Sequence, residues 1–311
     1  MCCLFGIIDY GRSFSGKQKT KMLSVLAKEC EVRGTDATGI AYVYNNGIQV
    51  YKRPWPARRM RFRIPRDVSV IMGHTRMTTQ GRAERNQNNH PWVSCVSNGE
   101  FALAHNGVLH NDWVLRKTLQ LPDTNVETDS YVAVQLIEQQ KTLDFSSLQY
   151  MAETVEGSFC FTVLDGGNQL WLVKGDNPLC LYHYPKLGLY LYASTEEILS
   201  RALTKMPVLL GRPRKVELRM GDILKIDGEG QQEWEHFNTE NLLCRDVFFP
   251  WSHYWGRTPS KPRKYSAEDL YLEDLKTTAQ CMGYEESLVD AWLQDGFTTD
   301  EIEEFLYCGE I

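Results

Sequence analysis

MCCLFGIID (1–9) is the stretch on which the reading turns. Residues 3–8 are apolar with Asp9 at the end, which predicts a buried strand beginning almost at the first residue, with the N-terminus inside the fold. Cys2 follows the initiator methionine, and a side chain this small permits removal of Met1. The cysteine so exposed carries both a thiol and an α-amine, whose unperturbed pKa of about 7.7–8.0 suits it to take the thiol proton without a histidine. One residue then supplies nucleophile and base.

Outward from this strand, Met22, Leu23, Leu26, Ala27 and Cys30 recur at helical spacing and predict an amphipathic helix over 17–33. Strands are predicted at 40–44, 48–52 and 68–73, the first two joined by the hairpin signal Asn45-Asn46-Gly47. A polar loop at 80–99 leads to a strand at 101–106 and helices near 111–120 and 129–141. Short β-like runs follow at 158–165, 169–174, 179–184, 188–193 and 222–227, with a helix near 195–204. Runs of strands and paired helices, rather than strict βαβ alternation, predict α+β layers with largely antiparallel sheets.

The chain has 311 residues, 42% hydrophobic and 24% charged, which excludes disordered, collagenous and coiled-coil classes. No apolar run approaches the ~20 residues that span a bilayer. Nine cysteines, none in a CxxC pair, argue against a disulfide framework or a zinc site. A cytoplasmic chain without metal or other cofactor is therefore expected. The net charge of -6 is uneven, because residues 266–311 hold thirteen acids against Lys276 alone. That step predicts a main domain over 2–236, a linker over 237–265 containing Pro250, Pro259 and Pro262, and an acidic three-helix module over 266–311. The module's apolar faces are set by Leu270 and Leu275, by Leu288, Trp292 and Leu293, and by Ile302, Phe305 and Leu306, with Trp292 expected to be exposed.

Six motifs occur in one order: MCCLFGI (1–7), RGTDATG (33–39), GHTRMTTQG (73–81), NNHPW (88–92), HNGVLHN (105–111) and ETDS (127–130). This series resembles the class II glutamine amidotransferases, the N-terminal nucleophile glutaminase domain. EGSFCFTVLD (156–165), YASTEEIL (192–199) and MGDILKID (220–227) extend the resemblance over 2–236. It implies a four-layer αββα sandwich of antiparallel sheets. It also implies catalysis by Cys2, with the Asn106 amide and the Gly107 N–H as the oxyanion hole. Arg76 would then take the α-carboxylate of glutamine and Asp129 its α-ammonium. Thr79 would hydrogen-bond near the substrate, with His90 and residues 33–36 shaping the pocket. Read alone, Asn106-Gly107 is also a hairpin turn, and Arg76 and Asp129 are ordinary surface charges. The chain departs from the family at Cys3, where glycine is usual. Met77 and Gln80 stand where the sugar-aminating branch has an aromatic residue and a histidine.

Two segments lie outside this pattern. RPWPARRMRFRIPR (53–66) holds six arginines and no acid, and reads as a solvated loop or a dock for the acidic tail before it reads as a nucleic-acid site. Residues 280–307 look like ubiquitin-associated three-helix modules and equally suit docking to another chain. The expected function is hydrolysis of the glutamine amide to glutamate and ammonia through a γ-glutamyl thioester. The stretch after residue 236 has no GxxxxGK[ST] loop and is too short for a synthase fold, so the ammonia is expected to pass to a separate synthase in trans. The alternative is a stand-alone hydrolase of γ-glutamyl compounds such as glutathione-derived peptides.

Overall fold

The computed structural model describes residues 2–243, then 272, 275, 276, 279, 284–299, 301 and 302. The chain divides into two compact units, Met1–Cys244 and Arg245–Ile311. In the first unit, one sheet runs in the order β11 (Arg214–Val216), β9 (Cys180–Tyr184), β10 (Leu189–Ala193), β1 (Cys3–Asp9), β4 (Val70–Arg76), β2 (Ala37–Tyr44) and β3 (Gly47–Arg53). The second runs β13 (Gln232–His236), β12 (Asp222–Ile226), β8 (Leu170–Lys174), β7 (Gly157–Asp165), β6 (Gly99–Leu109) and β5 (Trp92–Val96). Neighbouring strands pair antiparallel throughout, as in the β1–β4 and β6–β7 ladders.

β1 explains its own sequence. Its alternate residues Leu4 and Ile8 pack between the sheets with Met72, Ala104, Leu164 and Leu172. Cys3, Phe5 and Ile7 face the other way, against Met22, Leu23 and Leu26 of α1 (Gly16–Glu29) and Ile198 and Leu199 of α5 (Glu196–Thr204). A strand buried on both faces reads as a continuous apolar run rather than an alternating one. On the far side of the second sheet, Leu103, Phe161 and Val163 pack on Val132 and Leu136 of α3 (Tyr131–Gln140) and on Leu148 and Met151 of α4 (Phe145–Thr154). The layers are therefore helix, sheet, sheet, helix, the αββα order that the resemblance implied.

The β2–β3 hairpin closes at Asn45 and Asn46, whose φ values of 52° and 62° are the left-handed pair that a two-residue type I′ turn requires. The helix expected near 111–120 is α2 (Asp112–Thr118), β5 lies within the expected polar loop at 80–99, and α4, β11 and β13 are further elements without a clear local pattern in the sequence. α4 starts at a capping box in which Asp144 accepts from the Ser147 N–H. The arginine-rich stretch is a strap rather than an open loop: Met60, Phe62 and Ile64 are buried in the α1 layer, while Arg59, Arg61 and Arg63 point to solvent. The first unit runs past residue 236, since Phe237 is buried and the Asn238 N–H donates to Glu153 at 2.7 Å.

In the second unit a helix spans Glu286–Gln294, and Leu275, Ala279, Val289 and Ile302 form a small core. Trp292 is half-buried and packs edge-on to Tyr284 at 6.2 Å, which corrects the expectation that it is exposed. The expected positions Leu270, Phe305 and Leu306, and most of the 237–265 linker, lie outside the described residues.

One charge is sealed under the strap. Lys19 Nζ sits 3.4 Å from Asp9, both side chains being fully buried, and donates to the carbonyls of Arg66 at 2.7 Å and Val68 at 2.5 Å. Asp9 also accepts the Ser13 and Phe14 N–H groups. Removing one partner leaves an uncompensated buried charge, so Lys19→Met is expected to cost about 3–5 kcal/mol of unfolding free energy in urea titrations. A loss below about 1 kcal/mol would mean that Asp9 is satisfied by its backbone donors alone.

Candidate active site

The ladder that buries β1 also places Cys2. Cys3 pairs with Thr75, so Cys2 stands across from Arg76 at the open end of the first sheet, and Ala37 pairs with Arg76 from the other side. The Cys2 thiol is 3.5 Å from the Met77 carbonyl, and Arg33 Nε donates to the Cys2 carbonyl at 3.0 Å. Burial raises the thiol above its ordinary value, against the pull of the Arg76 charge. A thiol held protonated in this way needs a base at hand before it can attack.

Arg76 is buried and gathers the following loop around itself. One guanidinium nitrogen donates to Asn89 Oδ1 at 2.7 Å, and the other to the carbonyls of Gln80 and of Gly81, the latter at 3.2 Å. Asp36 holds the same loop by accepting the Thr78 N–H at 2.7 Å. Thr79 is exposed on this loop, and no described hydrogen bond draws it toward Cys2. Asp129, just before α3, is 2% exposed and accepts the Leu109 N–H at 2.6 Å. Burial raises its carboxyl above the ordinary range. Arg76 and Cys2 both feel the Asp129 charge, so the three share one neighbourhood. Neither Arg76 nor Asp129 is a surface charge, which disposes of that alternative.

The second sheet supplies Asn106 and Gly107. His74 Nε2 donates to the His105 carbonyl at 2.9 Å and so ties β4 to β6 beside the site. Asn106 and Gly107 lie within β6, opposite Cys160 and Phe159, and are no hairpin turn. The carbonyl of Asn106 accepts from Asn177 Nδ2 at 3.1 Å. Its side-chain amide is fully buried, yet neither Oδ1 nor Nδ2 meets a protein partner. An orphaned buried amide costs roughly 1–3 kcal/mol, so its retention points to a group supplied from outside the chain. Gly107 has φ 145°, and a Cβ there would stand 1.9 Å from the Ser158 carbonyl oxygen, so only glycine fits.

A family model described as a glutamine amidotransferase domain matches residues 74–201. The chain carries a class II glutamine amidotransferase domain. A glutamine–fructose-6-phosphate aminotransferase of Sulfurisphaera tokodaii is 30% identical over 190 residues, covering 58% of this chain and 31% of that protein. Its counterpart in Bacillus thuringiensis is 34% identical over 188 residues, covering 58% and 30%. The chain thus spans less than a third of the length of these relatives. Among solved structures, a glutamine phosphoribosylpyrophosphate amidotransferase from B. subtilis shares the fold with a TM-score of 0.59 at 20% identity, over 77% of this chain and 50% of that one. No described helix is long and apolar enough to cross a membrane.

The amidotransferase domain holds residues whose part the sequence reading passed over. Asn89, His74, His105 and Ser130 stand inside the quoted motifs and Asn177 outside them, and their bonds join residues distant in the chain, 71 positions apart for Asn177 and Asn106. His90, expected to shape the pocket, is buried between His74 and Trp92, with ring centroids 4.1 and 3.9 Å away. Among the described residues no group of three or more His, Cys, Asp or Glu is arranged to hold a metal ion. Burial pushes His74 and His105 down to about 3 and His90 well below its ordinary value. The unfolded chain takes up protons near pH 6.5 that the folded chain refuses until about pH 3. Unfolding free energy should therefore fall as the pH drops through that window, by up to about 1.36 kcal/mol per pH unit for each imidazole. Urea titrations at pH 7, 6 and 5 check this, and a flat profile would mean that the imidazoles charge within the fold.

Proposed function

We propose that this protein hydrolyses the side-chain amide of glutamine to glutamate and ammonia, with Cys2 as the nucleophile. The observation that carries the reading is the orphaned Asn106 amide beside Gly107 in β6, the strand whose Leu109 N–H holds Asp129, while Asp129 shares its surroundings with the half-buried Cys2 and with Arg76. After removal of Met1, the α-amine of Cys2 takes the thiol proton and the thiolate attacks the amide carbon. Asn106 Nδ2 and the Gly107 N–H receive the oxyanion, and the ammonium form of the amine protonates the departing nitrogen as ammonia. Water then cleaves the γ-glutamyl thioester and restores the thiol. Arg76 and Asp129 bind the α-carboxylate and α-ammonium, which are present from ground state to transition state, and Thr79 lines the loop over the substrate.

Cys2→Ala should abolish glutamate release while Cys3→Ala keeps most of it, because the α-amine serves only its own residue's thiol. Intact-mass spectra of active protein should lack Met1. Asn106→Ala should lower kcat by about 10²–10³-fold, whereas Asp129→Asn should act chiefly on KM. Activity that vanished on chelation and returned with a divalent ion would contradict a mechanism in which thiol, amine and amide donors meet every developing charge.

The ammonia goes, in this reading, to a synthase in trans that docks on the acidic segment. Deleting residues 266–311 should leave hydrolysis of free glutamine almost unchanged and end ammonia transfer to that partner. If γ-glutamyl peptides are turned over faster than glutamine without any partner, the protein is instead a γ-glutamyl hydrolase using the same site.

A further inference from the structure

We infer that His105 and Ser130 are positioning residues that hold Asp129 in place and charged, through a relay in which every proton donor points toward its carboxylate. The inference rests on the reading of Asp129 as the anchor of the substrate's α-ammonium.

A carboxylate removed from water stays ionised only where donors replace its hydration. Asp129 Oδ2 has the Leu109 N–H at 2.6 Å, and Oδ1 has the Ser130 hydroxyl at 3.3 Å. Ser130 Oγ is also 2.7 Å from His105 Nδ1. A serine has one hydroxyl proton, so it cannot donate to both. If Nδ1 were bare, it would take that proton and Oδ1 would face an oxygen lone pair. With the proton on Nδ1, the bonds align as Nδ1–H to Oγ, then Oγ–H to Oδ1, and each dipole strengthens the next. The buried anion selects this second order, because a hydrogen bond to a charge outweighs one to a neutral ring.

The ring is fixed for the task. It is buried and stacks on Phe161 with centroids 4.5 Å apart, while its own carbonyl is tied to His74. Its Nε2 has no partner at hydrogen-bond distance, but the Ser158 carbonyl lies on that side and favours a proton there, a pull that the Asp129 charge must outweigh for the relay to hold. When Asp129 takes up a proton the relay can reverse, with Oδ1–H donating to Oγ, Oγ–H to Nδ1, and the imidazole proton moving to Nε2 toward Ser158. The charged and titratable groups in reach are Cys2 and Arg76 on the Asp129 side, Arg116 at the Thr128 carbonyl, and His74, His90 and Asp176 around His105.

In the full-length protein, Ser130→Ala and His105→Phe should each raise KM for glutamine about tenfold while kcat stays within about twofold. In both variants the loss of glutamine binding on the acid side should set in at higher pH than in the parent. The double variant should be no worse than either single one, since both break the same relay, and Ser130→Thr should restore KM. Unchanged KM with an unchanged acid limb, or a loss in kcat alone, overturns the inference, and should His105→Phe not fold, Ser130→Ala decides. Nitrogen NMR of the parent separates this from the wider reading. A bare Nδ1 on His105 at neutral pH refutes the relay whatever the activity, whereas parent protein that leaves glutamine untouched refutes the proposed function instead.

Discussion

β1 has to be dry on both faces. Leu4 and Ile8 seal the space between the sheets, and Cys3, Phe5 and Ile7 seal the layer under α1 and α5. A strand so buried must satisfy every backbone group through its ladders, here β4 on one side and β10 on the other. The residue immediately before it therefore emerges at one place only, beside the end of β4. The position of Cys2 thus follows from main-chain pairing and packing, before any side chain of the site contributes.

The site itself is an accumulation of buried polar groups, each oriented by its neighbours. Arg76 is directed by Asn89 and by two carbonyls of its own loop, and Asn106 is backed at its carbonyl by Asn177. Asp129 is held by the start of α3 and by β6. Such groups are costly to bury and are kept only where they are paired or face a ligand. The amide of Asn106 is not paired within the protein, whereas the arginine and the aspartate are. His74, His90 and His105 are too deeply buried to charge at neutral pH, so the fixed charges around Cys2 are those of Arg76 and Asp129.

Much of the fold was legible because periodicity and turn chemistry report burial locally. The continuous apolar run of β1, the helical spacing of α1 and the Asn-Asn-Gly turn each name their own structure. The elements passed over lack such signals. β5 is a five-residue strand alternating buried and solvent-facing positions within a polar stretch, and β13 is an exposed edge strand, QEWEH, with no apolar face to see. Half of α4 is weak helix formers, Phe145, Ser146, Ser147, Tyr150 and Thr154, and it depends on its Asp144 cap and its packing on the second sheet.

For the site, the ordered motifs and the resemblance they carry singled out Cys2, Arg76, Asn106, Gly107 and Asp129 as candidates, and the structure shows a backbone reason for one of them, the φ of Gly107. What the sequence by itself determined was the layer pattern, a cysteine at position 2 whose own α-amine could serve as its base, and the list of polar residues available around it. Only the tertiary structure decided that Asn106-Gly107 runs through a strand instead of turning, that the arginine-rich stretch lies as a strap, and that His105 stands behind Ser130 and Asp129. Those outcomes depend on hydrogen bonds between residues tens of positions apart, and no local pattern encodes which distant partner a buried donor will find.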